Sequence, residues 1–370
     1  MPTSRPIQEN TVRSTPGLTT VIGIVNVGVM IVAVVALLVL PFGGGSPEPR
    51  RAAPSPSASA APASPAPVAA ATVESARKVK ANELGAIPVI MYHRILKKRR
   101  ASIDRTPAQL RKELERLAAD GYVPITAAEF AAGLIDLPAG AHPVVLTFDD
   151  GHPSHFALDS SGTPKKDTVV RIIYDVAARH PGFRPVATFW VNDHPFGLVS
   201  HDRQAAAVRW LVDRGFEVAN HTFGHPDLHR LSGKKVTEVI AREERLLTGL
   251  GAPASSTFAL PYGSNPKKRA TARSGKWKGT SFHFQAVFLA GAEPAISPYA
   301  KAYDRYDIPR IQSNGKKGEC RKWCSEYWLG WLDKHPDRRY TSDGDPTHVS
   351  MPRRLGSKIL AKLDRVKIVY

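Results

Sequence analysis

Two pairs of side chains in this sequence have the types and spacing of a metal-assisted hydrolytic site. Asp149 and Asp150 end the apolar run Val144-Val145-Leu146-Thr147-Phe148 and are followed by Gly151. Such a run reads as a buried strand that stops at a sharp turn. Successive side chains on a strand point to opposite faces, so the two carboxylates meet different surroundings and suit different tasks. One suits a metal ligand and the other a general base. His221 and His225 follow directly on a second short apolar stretch, 216–219. Imidazoles four residues apart can converge on one ion, and Gly224 and Pro226 favour a tight turn around them rather than a long helix. One carboxylate and two imidazoles leave coordination positions open for water and substrate, which marks a catalytic rather than a structural metal.

These residues need elements to position them. A strand at 87–92 ends in His93, and Thr106 opens a helix with Pro107 at its first position, Gln109 completing a capping box, Leu110, Leu114 and Leu117 on one face, and Gly121 as stop. Thr126 and Glu129 form a second capping box before the strand that ends in Asp149. Helices at 167–179 and 204–214 and a longer one from Ser232 to about Leu250 then alternate with strands at 185–191, 216–219, 256–260, 285–289 and 308–311. About seven strands taking turns with helices imply an α/β fold with a parallel sheet, closed as a barrel or open and doubly wound. Polar residues recur at the C-terminal ends of the strands, where barrels carry their reactive groups, and a distorted (β/α)7-type barrel is the expected architecture.

The remainder of the 370 residues reads as appendages to one catalytic domain. Residues 21–40 are almost all apolar, with Asn26 the exception, long enough to cross a bilayer as a helix and longer than the apolar region of a cleaved signal peptide. The expected order is a short cytoplasmic segment at 1–20, a transmembrane anchor at 21–40, a Pro/Ala/Ser-rich linker at 41–83, a catalytic domain at 84–330 and a basic C-terminal extension at 331–370. The charge flanking the anchor, Arg5 and Arg13 against Glu9 with Arg50 and Arg51 beyond, gives only a weak orientation signal, and an extracytoplasmic catalytic domain is the expectation. A Pro-rich linker extends about 3.1 Å per residue, so some 30 residues reach on the order of 90 Å, far enough to enter a cell wall. The formal charge is +18, from 51 Lys and Arg against 33 Asp and Glu, which suits a polyanionic neighbourhood as well as a merely solvated surface. No nucleic-acid signature accompanies it, and anionic cell-envelope polymers or lipid headgroups fit the expected compartment better. Cys320 and Cys324, four apart in an oxidising compartment, suit a local disulfide. Trp190, Phe196 and Trp277 read as core aromatics before sugar-stacking ones, and the acidic stretch 341–345 reads as a turn before a calcium site.

With these residues in view, Thr147-Phe-Asp-Asp150-Gly, His221-Thr-Phe-Gly-His225 and Leu260-Pro-Tyr262-Gly resemble, in order, the first three motifs of the polysaccharide deacetylases, carbohydrate esterase family four. The resemblance spans roughly 87–311. It implies a distorted parallel barrel and a divalent metal, usually Zn2+, held by Asp150, His221 and His225. It also implies Asp149 as general base and the backbone N–H of Tyr262 as an oxyanion donor. Two departures stand out. The family commonly has an Arg two residues before the Pro of its third motif, and Ala259 occupies that place here. Its late motif, an apolar strand ending in the histidine that acts as general acid, is not evident after Tyr262, because His283 precedes its strand and His335 and His348 sit in polar stretches. Val89-Ile-Met-Tyr-His93 has that form early in the chain, as in relatives of permuted motif order acting on exported glucosamine polymers, which makes His93 the expected acid. The implied reaction is removal of N-acetyl groups from an acetylated polysaccharide of the cell envelope. An O-acetyl esterase on the same scaffold and a catalytically impaired glycan-binding module are the alternatives.

Overall fold

The computed structural model describes residues 70–370, save the side chains at 318 and 319. The expected anchor at 21–40, the segment before it and most of the linker lie outside the described residues. Among the described residues, no helix is long and apolar enough to cross a membrane. The elements, in order, are α1 (Val73–Lys78), β1 (Val89–Tyr92), α2 (Pro107–Ala119), β2 (Tyr122–Ile125), α3 (Ala127–Ala132), β3 (His142–Asp149), α4 (Val169–Arg179), β4 (Thr188–Val191), α5 (His201–Val212) and β5 (Glu217–Asn220). They continue with α6 (Gly233–Gly249), β6 (Thr257–Ala259), the pair β7 (Ser274–Trp277) and β8 (Thr280–His283), β9 (Ala286–Phe288), β10 (Ile311–Gln312), α7 (Ser325–Lys334), β11 (Val349–Met351) and β12 (Lys367–Val369).

The main sheet runs β10-β1-β3-β4-β5-β6-β9, with β2 also on β3, and every pairing in it is parallel. The eight residues of β3 serve two partners, the first half pairing with β2 and the second with β1. The sheet curls until its ends approach: Ile308 bridges Phe288 of β9, and three residues later Ile311 pairs with Ile90 of β1. The result is a parallel half-barrel closed by one short segment.

Alternation along β3 divides the core. Val144, Leu146 and Phe148 face outward into a layer with Leu110 and Leu114 of α2 and Ile172 and Ile173 of α4. Val145 faces the barrel interior with Trp190, Ala219, Ala259 and Phe288. Thr106 caps α2 as its sequence predicts, with Gln109 bonding back, and Thr126 and Glu129 do the same for α3.

The folded chain begins before Leu84. Helix α1 lies within the stretch expected to be linker, and Glu83 accepts hydrogen bonds from Tyr340, Asp343 and Ser350. Those bonds tie down the C-terminal extension, whose Tyr340, Val349, Met351 and Ile359 join the interior core. Asp343 and Asp345 are spent on Ser350, Thr347, His348 and nearby backbone N–H groups. The 341–345 stretch is thus an ordered turn.

Candidate active site

Asp149 is the last residue of β3 and shares the inward face with Val145 and Thr147. Alternation would send Asp150 outward. Instead φ is 75° at Asp150 and 59° at Gly151, so the chain reverses at the barrel mouth and the Asp150 carboxylate comes back toward the site. A side chain at Gly151 would meet Val191 at 3.0 Å, which adds a packing reason for glycine there.

The histidines are placed by the turn after β5. Asn220, fully buried, donates to the Ile240 carbonyl and to Glu244 of α6 and accepts from the Thr222 N–H, which pins the first bend. Positive φ at Thr222 (70°), Gly224 (79°) and His225 (50°) then folds the loop in a non-helical path. His225 Nε2 lies 3.4 Å and His221 Nε2 3.7 Å from Asp150 Oδ1. His221 Nδ1 sits 2.9 Å from the Ala259 carbonyl oxygen. A carbonyl only accepts, so Nδ1 carries the proton and the Nε2 lone pair points into the site. Burial holds the His221 imidazole well below its ordinary value, against the pull of Asp149, which keeps it neutral.

One ligand atom from each of Asp150, His221 and His225 lies within 4.8 Å of the others. Two imidazoles and a carboxylate at this spacing, one imidazole locked in the ligating tautomer, fit a divalent ion of the zinc type.

Asp149 is held quite differently. Arg310, just 1% exposed, donates from Nη1 to Oδ1 at 2.7 Å and from Nη2 to Oδ2 at 2.8 Å. Its Nε bonds the Leu289 carbonyl, Nη1 also reaches Thr147 Oγ1, and its guanidinium lies 5.0 Å from the Trp190 ring centre. Burial by itself would raise the Asp149 carboxyl; the Arg310 charge, helped by His221, reverses that and holds it well below the usual carboxylate range. The place in the third motif where Arg is expected is indeed filled by Ala259, buried against the core. Its cation comes instead from the segment before β10. The visible signal was a lone charge in Ile308-Pro309-Arg310-Ile311, since an Arg inside an apolar strand needs a buried partner.

His93 directly follows β1, with Nε2 at 3.9 Å from Asp149 Oδ2, the same oxygen that lies 3.9 Å from His221 Nε2. His93 therefore flanks the site on the Asp149 side and His225 on the Asp150 side. The His93 Nδ1 is buried without a hydrogen-bond partner among the described residues. Its carbonyl accepts from Nε2 of His155, a fully buried ring beneath it. Tyr262 has φ of 58°, is 71% exposed and sets its ring edge-on to His225 with centres 4.6 Å apart. The six residues singled out by sequence are thus gathered at one end of the barrel. Trp190 and Phe196 are buried and cannot stack on a sugar, and Trp190 instead bonds Thr257 and faces Arg310. Cys320 and Cys324 are bonded to each other.

Residues 136–276, which carry Asp149, Asp150, both histidines and Tyr262, match the polysaccharide deacetylase family model. This region is similar to the polysaccharide deacetylases. The chain is 35% identical over 126 residues to a chitooligosaccharide deacetylase of Sinorhizobium fredii, covering 34% of this chain and 48% of that one. It is 33% identical over the same length to the chitooligosaccharide deacetylase of a Bradyrhizobium species, with the same coverage. The chain thus spans about half the length of the relatives it matches. Among solved structures, a Streptococcus pyogenes deacetylase in complex with acetate aligns with a TM-score of 0.46 at 19% identity, covering 61% of this chain and 91% of that one.

Proposed function

We propose that the protein is a metal-dependent hydrolase that removes N-acetyl groups from an N-acetylhexosamine polymer of the cell envelope, with zinc as its metal. The observation that carries this reading is the division of labour between neighbouring carboxylates. Asp150 shares a cluster of ligand atoms within 4.8 Å with two histidines, while Asp149 beside it is kept ionised by Arg310.

Asp150, His221 and His225 would hold the metal, which when bound acidifies water and polarises an acetyl carbonyl. Asp149 Oδ2, the oxygen facing His93 and His221, takes the proton of the attacking water. The Tyr262 N–H donates to the oxyanion as the carbonyl becomes tetrahedral. His93 gives a proton to the departing sugar amine, which leaves poorly as an anion. The names of the two rhizobial relatives support an N-acetylglucosamine-containing substrate. The apolar run at 21–40 and the Pro-rich stretch after it support a single-pass anchor that holds the domain in the extracytoplasmic envelope.

Acetate release from N-acetylglucosamine oligomers, lost on metal stripping, regained with Zn2+ and abolished by Asp149→Asn, is the expected result. Release from O-acetylated glycans alone would make the protein an esterase. Sugar binding with no release from any acetylated glycan would make it a binding module.

A further inference from the structure

A recess of about 560 Å³ opens between the 99–105 loop, helix α2, residues 314–317 and the first turn of α7. It lies at the C-terminal ends of β1 and β10, and the loop that walls it begins immediately after His93. Arg99, Arg105, Lys112 and Lys316 line it. Among the described residues, none of these four cations is paired with a carboxylate. Arg105 is only 8% exposed and, among the described residues, its Nε has no hydrogen-bond partner and its one side-chain bond is a long one of 3.4 Å to Asn314. The Arg99 Nε is likewise buried and unpartnered among the described residues.

The carboxylates nearby are already committed. Glu113 accepts from the hydroxyls of Tyr92, Ser313 and Ser325, and Glu326 accepts the Lys316 N–H. Arg116, also on the wall, is engaged by Asp120 and Asp333. A desolvated guanidinium with an unused donor is costly unless an anion completes it. Two guanidinium groups with ammonium groups beside them match the several oxygens of a phosphate better than a single carboxylate.

We infer that this recess binds the phosphate groups of a soluble anionic polymer. The pocket is concave and partly enclosed, which suits a flexible chain rather than a flat bilayer surface. Binding there does not depend on whether the cleft hydrolyses acetamides.

The test uses the full-length protein in neutral detergent, with fluorescently labelled linear polyphosphate as probe and anisotropy as readout. The triple variant Arg99→Gln, Lys112→Gln, Lys316→Gln is compared with a charge-matched control, Lys358→Gln, Lys362→Gln, Arg365→Gln, in the C-terminal extension. The expected result is a loss of affinity of about tenfold or more in the recess variant and less than about twofold in the control, with a flatter salt dependence for the recess variant only. An unchanged thermal midpoint shows that the recess variant is folded. Equal losses in both variants would reduce the effect to net charge and overturn the proposal. So would absence of polyphosphate binding, or a loss confined to binding of anionic phospholipid vesicles.

Discussion

Arg310 grips both oxygens of Asp149, at 2.7 and 2.8 Å, from the segment that closes the sheet, 161 residues away along the chain. The pair is almost wholly buried, so its value lies in what happens when one member is lost. Removing the guanidinium leaves an uncompensated carboxylate in the barrel interior. Arg310→Gln is expected to cost about 3–5 kcal/mol of stability in urea unfolding. Its residual activity should fall at least about a hundredfold, and the acidic limb of its rate profile should move upward as Asp149 becomes easier to protonate. In the native protein the depressed Asp149 contributes stability above the ordinary carboxylate value, and that contribution is lost only as pH falls through its lowered one. An unshifted acidic limb in Arg310→Gln would exclude Asp149 as the base.

His93 is expected to act on the leaving group. His93→Ala should lower turnover by about 10²–10⁴ with little change in KM. A change in KM alone would assign His93 to substrate positioning.

Metal binding can be read without activity. At about a hundredfold excess over Kd, Zn2+ should stabilise the folded chain by about 2.7 kcal/mol, seen as a raised midpoint in calorimetry. Asp150→Ala or His225→Ala should abolish that shift while leaving the Arg310–Asp149 pair intact. A zinc-induced shift that survives both substitutions would place the ion elsewhere.

Buried imidazoles set an acid limit on the fold. Burial lowers His142 and His155 from 6.5 to about 4, so the unfolded chain binds more protons than the folded one between those values. The contribution of these two rings should therefore be full above about 6.5 and fall as pH drops toward 4, by about 1.4 kcal/mol per pH unit for each ring, opposed over the same range by Glu83, which burial raises to about 8. The difference in urea midpoint between the native chain and the His142→Gln, His155→Gln variant across this range checks it, and a flat difference would mean that these rings are charged in the fold.

Much of the scaffold is legible because local signals agree with the tertiary outcome. Thr106 and Thr126 cap their helices, and apolar runs become the strands that lead into His93 and end at Asp149 and Asn220. The elements that sequence reasoning passes over lack such agreement. Pro124 disqualifies β2 on propensity, yet among the described residues β2 pairs only with β3, so the missing N–H breaks no central ladder. The β7–β8 hairpin is built mostly from polar residues around Lys278-Gly279, whose positive φ angles of 43° and 87° form the two-residue turn. Helix α1 is short and lies in a stretch whose composition reads as linker.

The sequence by itself determined the chemistry available: adjacent carboxylates at a strand end, two histidines beyond another, a third closing the first strand, and the alternation that gathers strand ends at one mouth. Tertiary structure decided how each group is used. Left-handed backbone at Asp150 turns a residue bound for the outer face back to the histidines, and the Ala259 carbonyl selects the His221 tautomer. The sharpest case is Asp149, the carboxylate that seemed to lack its arginine. Closing the sheet through 308–312 carries Arg310 to it, a partnership between distant segments that no local pattern encodes.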